Sequence, residues 1–462
     1  MARAETIYRC QECDYQTTNW MGRCSSCGNW NTFIKYNKNS EKVASTSSDT
    51  AGDYAPAEAL TEDIKKRDTP PRFNTAMAEF DRVLGGGIVA GSLVLLGGAP
   101  GVGKSTLILQ VSHMLAEKEL RCLYIAGEES ADQLALRAER LGVFHGRIEI
   151  LSATSWQKIS SHLEDEEYDF VVVDSIQTVY DSSYQSSPGS VTQVREVTSS
   201  FQQLARKQNI PVFLVGHVTK EGQLAGPKVM EHMVDTVLYF QESSNFYRLL
   251  KAHKNRFGTT DEVGVFAMGD SGLREIKNPS SLFLEGRPEN CSGSAVVPVL
   301  EGSRTILVEL QALVSSKGYG HSRRITSGLN RDRADLLLAV LDKRLGLELA
   351  ERDVHFNVVG GLQLDEPALD LALAASVISS YLDIALPPDL AAFGEVGLSG
   401  EVRAVSRPDR RAVEASKMGF NGLMLPASSR LEEFDPGQEM EIIEIDRITD
   451  LLGYIRTLAE DS

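Results

Sequence analysis

The sequence predicts an α/β chain in three parts, a small cysteine-rich segment followed by two larger domains. Three observations carry this. The run Gly98-Ala99-Pro100-Gly101-Val102-Gly103-Lys104-Ser105-Thr106 matches G-x-x-x-x-G-K-[ST]. It lies between an apolar run, Leu93 to Leu96, and a helical pattern from Thr106 to Leu115, the strand–loop–helix setting that a phosphate-binding loop requires. Cys10, Cys13, Cys24 and Cys27 form two C-x-x-C pairs within eighteen residues. The last third of the chain carries its own succession of strand and helix patterns.

Length and composition agree. At 462 residues the chain is long enough for two or three domains. Apolar residues make up 42% and charged residues 24%, as expected of globular cores. Net charge is −17, so any nucleic-acid contact must use local basic patches. The first ten residues show no signal-peptide core and no run is long enough to span a bilayer, so the expectation is a cytoplasmic protein with no membrane partner. Cys122 and Cys291 stand alone and read as a buried small residue and an incidental thiol.

Taken in order, residues 1–36 read as a zinc finger. Two short knuckles suit four thiolates around tetrahedral Zn2+, with Cys10, Cys13, Cys24 and Cys27 as ligands. A disulfide pair or redox dithiol is the alternative, which a cytosolic chain disfavours. So small a segment needs the metal's binding energy to fold. Trp20, Trp30 and Phe33 are candidates for its core; exposed, the same aromatics would touch a partner or a base. Residues 37–70 read as a flexible linker, rich in Ser, Thr, Ala and Asp up to about Pro56.

Residues 71–290 hold the phosphate loop. Glycines let backbone N–H groups turn inward around phosphates, and the helix start adds positive potential. Residues Gly98 through Thr106 are therefore expected to bind ATP, with Lys104 on the outer phosphates and Ser105 on Mg2+. The triple glycine Gly85-Gly86-Gly87 reads as a tight turn with close backbone approach. A strand over Arg121 to Ala126 ends in Gly127-Glu128-Glu129-Ser130 ahead of a helix over Ala131 to Arg140. A carboxylate there can orient and deprotonate the attacking water. Glu128 is preferred over Glu129, though acidic residues also simply favour a helix start. The strand Phe170 to Asp174 ends in the carboxylate expected to hold Mg2+ with Ser105. A polar loop, Tyr180 to Ser190, and a helix from about Thr192 to Lys207 follow. Strand Pro211 to His217 puts His217 where a γ-phosphate sensor or a loop cap would sit. A second loop, Thr219 to Met230, carries Lys220 and Lys228.

Lys254-Asn255-Arg256-Phe257-Gly258 spells K-N-R-F-G. Read from its residue types alone, it is a polar turn with two cations. The core resembles RecA-like ATPases. With the four-cysteine start, the phosphate loop and this pentapeptide in that order, the first 290 residues resemble the RadA (Sms) family of bacterial DNA-repair ATPases. The resemblance implies a RecA-like P-loop ATPase core and a DNA-dependent ATPase that binds single-stranded and branched DNA and drives branch migration. It implies a homo-oligomeric, hexameric ring and a recombinase partner. It also implies ATP between subunits, with Lys254 and Arg256 reaching the neighbour's phosphates. The two loops after Asp174 and His217 match DNA-facing loops in position.

Residues 291–462 resemble the proteolytic domain of Lon, through Gly360-Gly361, Glu395-Val396-Gly397-Leu398-Ser399-Gly400 and Val402-Arg403. The resemblance implies a Ser nucleophile and an activating Lys. Glu366-Pro367-Ala368-Leu369-Asp370 instead puts Ala368 at the nucleophile, and Asp409 aligns with the Lys. A methyl group cannot attack a carbonyl, so peptidase activity is not expected. Scaffolding and DNA contact are. Lys317, Arg323, Arg324, Arg331 and Arg333 form one basic cluster, and Arg403, Arg407, Arg410, Arg411 and Lys417 a second. Each reads as a phosphate track or as a solvated face. The other function classes are an ATP-dependent protease, opposed by Ala368, and a nucleotide switch that sets only the oligomeric state.

Overall fold

The structure is a computed structural model. It describes residues 6–10, 16–26, 28, 30, 33–37, 71–217, 229–242, 247–316, 322–434 and 440–460. The chain forms two compact units, Met1–Asp68 and Thr69–Ser462. The expected linker at 37–70 lies, beyond Asn37, outside the described residues.

The first unit has three antiparallel strands, β1 (Thr6–Cys10), β2 (Gln16–Thr17) and β3 (Phe33–Asn37), in the order β2-β1-β3. Cys24 and Phe33 are buried together, with Tyr8 and Met21 against them. Trp20 and Trp30 are 57% and 70% exposed, so of the three expected aromatics only Phe33 serves the core. The two indoles flank Gly22, and the Arg23 guanidinium stacks 5.8 Å from the Trp30 ring.

The second unit begins with a two-stranded piece, β4 (Arg72–Phe73) with β5 (Ile88–Val89). Between them lie the helix Ala78–Val83 and the triple glycine. Gly85, Gly86 and Gly87 have φ of +81°, +107° and +119°. A Cβ on Gly87 would lie 2.8 Å from the Phe73 carbonyl oxygen, so the turn needs glycine for both backbone angle and space.

A nine-stranded sheet follows: β6 (Leu93–Gly98), β7 (Cys122–Ala126), β8 (Ile148–Leu151), β9 (Phe170–Asp174), β10 (Val212–His217), β11 (Thr236–Glu242), β12 (Tyr247–Asn255), β13 (Val263–Gly269) and β14 (Gly272–Glu275). Its order is β14-β13-β12-β11-β6-β10-β9-β7-β8. The strands from β11 to β8 in that order run parallel, and β12, β13 and β14 add antiparallel at one edge. Strand periodicity sorts the core. Val94, Leu96, Phe170 and Val172 enter one apolar cluster, and Leu93, Leu95, Val171 and Val173 the other. Both faces are covered, which is why these strands read as unbroken apolar runs.

The helices have local reasons. Ser130 and Gln133 form a reciprocal capping box for Ala131–Leu141, which stops at Gly142 in the left-handed region. Ser190 caps Val191–Gln208.

The C-terminal part builds a seven-stranded sheet of β15 (Ser294–Glu301), β16 (Arg304–Ser316), β17 (Arg324–Ser327), β18 (Arg352–Val358), β19 (Leu390–Ala392), β22 (Gly422–Pro426) and β23 (Glu441–Ile445). Its order is β17-β18-β16-β15-β19-β22-β23. A small pair, β20 (Glu395–Val396) and β21 (Val402–Arg403), lies apart. The helix Leu369–Leu382 packs against this sheet, with Leu371, Ala372, Ala374 and Ala375 buried in one core.

The two sheets belong to one unit, and the β15–β16 turn ties them together. Arg304 pairs with buried Glu79 at 2.8 Å, and Lys251 with Glu301 at 2.6 Å. Ser303 N donates to the Asp261 carbonyl, and a Cβ on Gly302 would lie 1.8 Å from that oxygen. The second basic cluster divides. Arg411 is fully buried, paired with Glu366 at 2.8 Å, and serves this same interior. Arg410 donates to the Ser303 carbonyl, Arg407 approaches Asp261, and Arg403 pairs with Glu401. These three and Lys417 are exposed.

Candidate active site

β6 delivers the loop. A Cβ on Gly98 would lie 2.4 Å from the Phe240 carbonyl oxygen, so the strand can leave the sheet there only as glycine. Gly101 and Gly103 have φ of +80° and +111°, and Val102 is buried as the loop's anchor. Arg248, a residue that no motif marks, donates from Nε to the Val102 carbonyl at 3.2 Å. The helix Lys104–Ala116 starts with no side-chain cap and no acidic residue in its first turn. Its leading N–H groups are therefore kept for an anion.

Lys104 is almost wholly buried, and its Nζ donates to the carbonyls of Gly98 at 2.8 Å and Ala99 at 3.0 Å. Burial lowers its pKa below the ordinary lysine range, opposed by the charges of Asp174 and Glu128. So the loop's one cation and the two expected carboxylates share one electrostatic neighbourhood. Strand register explains how. Ala126 and Val215 lie opposite Asp174, and His217 opposite Gly98. The carboxyl ends of β6, β7, β9 and β10 thus meet at one edge, where ligands of parallel sheets bind. The side chain of His217 lies outside what is described.

Each carboxylate has a hydroxyl partner. Tyr124 Oη donates to Asp174 Oδ2 at 2.6 Å, and Ser175 Oγ donates to Glu128 Oε1. Burial, then the Asp174 charge, raise the Tyr124 phenol's pKa well above its usual value. Glu129 instead pairs with Arg137 at 2.5 Å, so the two adjacent acids have different partners. Tyr124 and Ser175 escaped sequence reading because each looks like one more member of an apolar strand end.

The donor set suits a nucleotide: an uncapped helix start, a buried lysine, and Ser105 with Asp174 for Mg2+. The cysteines suit a metal in part. Cys24 is buried, and Gly28 N donates to its carbonyl at 2.9 Å in a knuckle turn with Gly28 at φ +76°. Cys10 ends β1 opposite Phe33; its side chain, Cys13 and Cys27 lie outside the described residues.

Lys254 and Arg256 sit elsewhere. β12 runs antiparallel to β11, and β11 parallel to β6; Lys254 lies opposite Val237, and Val237 opposite Leu95. Lys254 therefore flanks the start of β6, about 10 Å of strand away from Gly98. Its Nζ donates to the carbonyls of Glu231, His232 and Val234 at 2.7–3.1 Å, capping the short helix Val229–Met233. Burial, then the Arg256 charge, lower its pKa. Arg256 pairs with Asp235 at 3.1 Å. Gly258 packs on the triple glycine: its Cβ would lie 2.9 Å from Gly85 Cα. Within one chain these cations do not reach the phosphate loop.

The expected DNA residues divide. Lys220, Lys228 and Lys317 lie outside the described residues. Arg323 is exposed, and Arg331 is 69% exposed with a long 3.7 Å pair to Asp335. Arg324 is partly buried against the same Asp335 at 3.5 Å. Arg333 is a correction: both its Nε and Nη2 donate to buried Asp370 at 2.6 Å. That bidentate fork is committed to the protein interior. Of the two residues expected at the peptidase nucleophile and lysine positions, Ala368 is buried at the start of its helix, and Asp409 Oδ1 accepts from the N–H groups of Glu433 and Phe434 at 2.9 Å.

Among the described residues no helix is long and apolar enough to cross a membrane. Residues 66–223 match the family described as AAA domain, and residues 8–35 the rubredoxin metal binding domain. Solved structures of a KaiC-like protein from Pyrococcus horikoshii and of the RadB recombinase align with 45% and 44% of the chain and 99% of their own. Identities are 20% and 22%, and TM-scores 0.38 and 0.36. The DNA repair protein RadA of Halalkalibacterium halodurans is 46% identical over 98% of this chain and 99% of its own. RadA of Bacillus subtilis is likewise 46% identical over 98% and 99%. With loop, ribbon strands and strand-end carboxylates in place, and with identity at that level along nearly the whole length, the chain belongs to the RadA family of DNA repair proteins.

Proposed function

We propose that the chain is a DNA-dependent ATPase motor of recombination. It binds single-stranded and branched DNA and drives branch migration as a hexameric ring in the cytoplasm, alongside a recombinase. Bound ATP and Mg2+ supply the phosphoanhydride bond and the charge that holds it. Lys104 and the loop amides hold the outer phosphates, and Ser105 and Asp174 hold the metal. Glu128 orients the water and takes its proton. His217 senses the terminal phosphate. Lys254 and Arg256 complete a neighbour's site. The loops at 180–190 and 219–230 follow DNA, with Lys220 and Lys228 on its phosphates and Arg323, Arg324 and Arg331 as outer contacts. The four cysteines hold Zn2+. The C-terminal domain, 291–462, is a scaffold without peptidase activity.

The observation that carries this reading is the place of Lys254. It stands at the opposite end of the strands from its own loop, so a phosphate it serves must be another subunit's. A mixing experiment tests it. Lys104→Ala keeps the finger and loses the loop; Lys254→Ala keeps the loop and loses the finger. Each variant alone is expected to be inactive with single-stranded DNA, and their mixture to regain part of the DNA-stimulated turnover. No recovery, in mixed assemblies shown to form, overturns the shared site. A second reading has one observation in its favour: Lys254 and Arg256 are both partnered within the chain. On that reading ATP only sets assembly size, and DNA leaves the hydrolysis rate unchanged.

A further inference from the structure

β7 and β9 are parallel neighbours whose ends bring the two working carboxylates together, and each carboxylate is held from the opposite strand. Tyr124 of β7 donates to Asp174, the last residue of β9. Ser175, which follows Asp174, donates back to Glu128, which follows β7. The exchange is locked in register. Gly127 N donates to the Asp174 carbonyl at 2.7 Å. Thr178 Oγ1 donates to the Ser175 carbonyl at 2.8 Å, and a Cβ on Gly127 would lie 1.9 Å from that hydroxyl.

The two hydroxyls are unlike ordinary strand-end groups. Both residues are essentially inaccessible, at 2% for Tyr124 and 0% for Ser175. Each gives its single proton to a carboxylate and not to a backbone carbonyl. Glu128 is exposed and has three side-chain torsions to order. Fixing such a chain in one rotamer costs side-chain entropy, which a hydrogen bond to the charged carboxylate offsets. Asp174 receives its one described side-chain donor on Oδ2, so Oδ1 takes no described side-chain donor.

We propose that Ser175 and Tyr124 are positioning residues of the hydrolytic site, Ser175 orienting Glu128 toward the attacking water and Tyr124 orienting Asp174 toward Mg2+. This rests on the reading of Glu128 as the base and Asp174 as the metal carboxylate. Neither hydroxyl touches the nucleotide's reacting atoms, so neither is a catalytic residue. Their loss should separate turnover from binding.

The test uses the full-length chain and two readouts, steady-state ATP hydrolysis and Mg2+-dependent binding of a fluorescent ATP analogue. Ser175→Ala is expected to lower kcat about ten- to a hundredfold, the range for outer positioning partners, with KM and analogue affinity within about twofold. Ser175→Cys, which keeps the volume with a weaker donor, should fall between. Tyr124→Phe should raise the Mg2+ concentration for half-maximal analogue binding about tenfold. In a Glu128→Gln background, Ser175→Ala should slow turnover no further, because the group it positions is already gone. The inference is overturned if Ser175→Ala loses analogue binding as fully as turnover, or if it turns over like wild type while Glu128→Gln is inactive. If Glu128→Gln itself turns over normally, the assignment of the base fails, and the role of Ser175 with it.

Discussion

The carboxyl end of the nine-stranded sheet and the surroundings of the helix start at Ala368 in the C-terminal part are built from similar materials and dispose their charge in opposite ways. Each has a glycine-marked motif, a helix start and buried charge. At the first, Lys104, Asp174 and Glu128 come from three separate strand ends and face one another across the loop. At the second, Ala368 offers a methyl group, Asp409 is tied to two main-chain N–H groups, and buried Arg411 is closed off by Glu366 and the Pro298 carbonyl. Charge aimed at common space makes a site. Charge paired inward holds the fold together.

Five experiments would break or sharpen that contrast. The largest effect belongs to the loop: Lys104→Ala should lower phosphate release at least about a hundredfold, as removing a phosphate-directed cation does. Its counterpart, Ala368→Ser combined with Asp409→Lys, should cleave no casein or unfolded peptide. Detectable cleavage would mean that the second centre is a dormant site and not a scaffold. Next comes Arg411→Ala, which strands Glu366 beside an emptied buried position and should cost about 3–5 kcal/mol in denaturant unfolding. Arg411→Met, which fills the space, should cost less; equal losses would show that volume and not charge is at stake.

Arg333 and Arg331 stand a few ångströms of helix apart and should respond oppositely. Arg333→Ala should destabilise the fold by about 3 kcal/mol through unpaired Asp370. Arg331→Ala should leave stability within about 0.5 kcal/mol and lower the salt dependence of single-stranded DNA binding by about one unit of slope. Equal salt slopes for Arg331→Ala and wild type would return Arg331 to a solvated surface. The smallest effect is chemical. Burial pushes the Cys122 thiol up to about 12, whereas Cys291 is exposed. Iodoacetamide on the native chain should label Cys291 and spare Cys122, as mass spectrometry of the peptides would read.

How far the sequence reached varies with how local the physics is. The loop, its strand and its helix were legible because glycine geometry, a buried run and a 3.6-residue pattern act over neighbouring positions. The helices expected at Ala131 and Thr192 form within a residue or so of those starts, because Ser130 and Ser190 cap them locally. Strand β8 and the helix Trp156–Asp165 were passed over, since their apolar patterns are short and half-exposed. The different partners of Glu128 and Glu129, Ser175 on one and Arg137 on the other, lie in residues the sequence does not rank.

By itself, then, the chain's order of residues determined the phosphate-loop chemistry and the α/β class. Each of these depends on which side chain occupies a motif position. What only the tertiary structure decided is which charges are available. Arg333 and Arg411 counted as surface cations until the fold brought Asp370 and Glu366 against them. Lys254 reads from the sequence as one of two cations in a polar turn; it is β12 that carries it to the far end of the strands from its own loop, onto three helix carbonyls. Pairing of this kind joins residues tens to hundreds of positions apart. No local periodicity records it, and the low dielectric of the interior makes it binding once it forms.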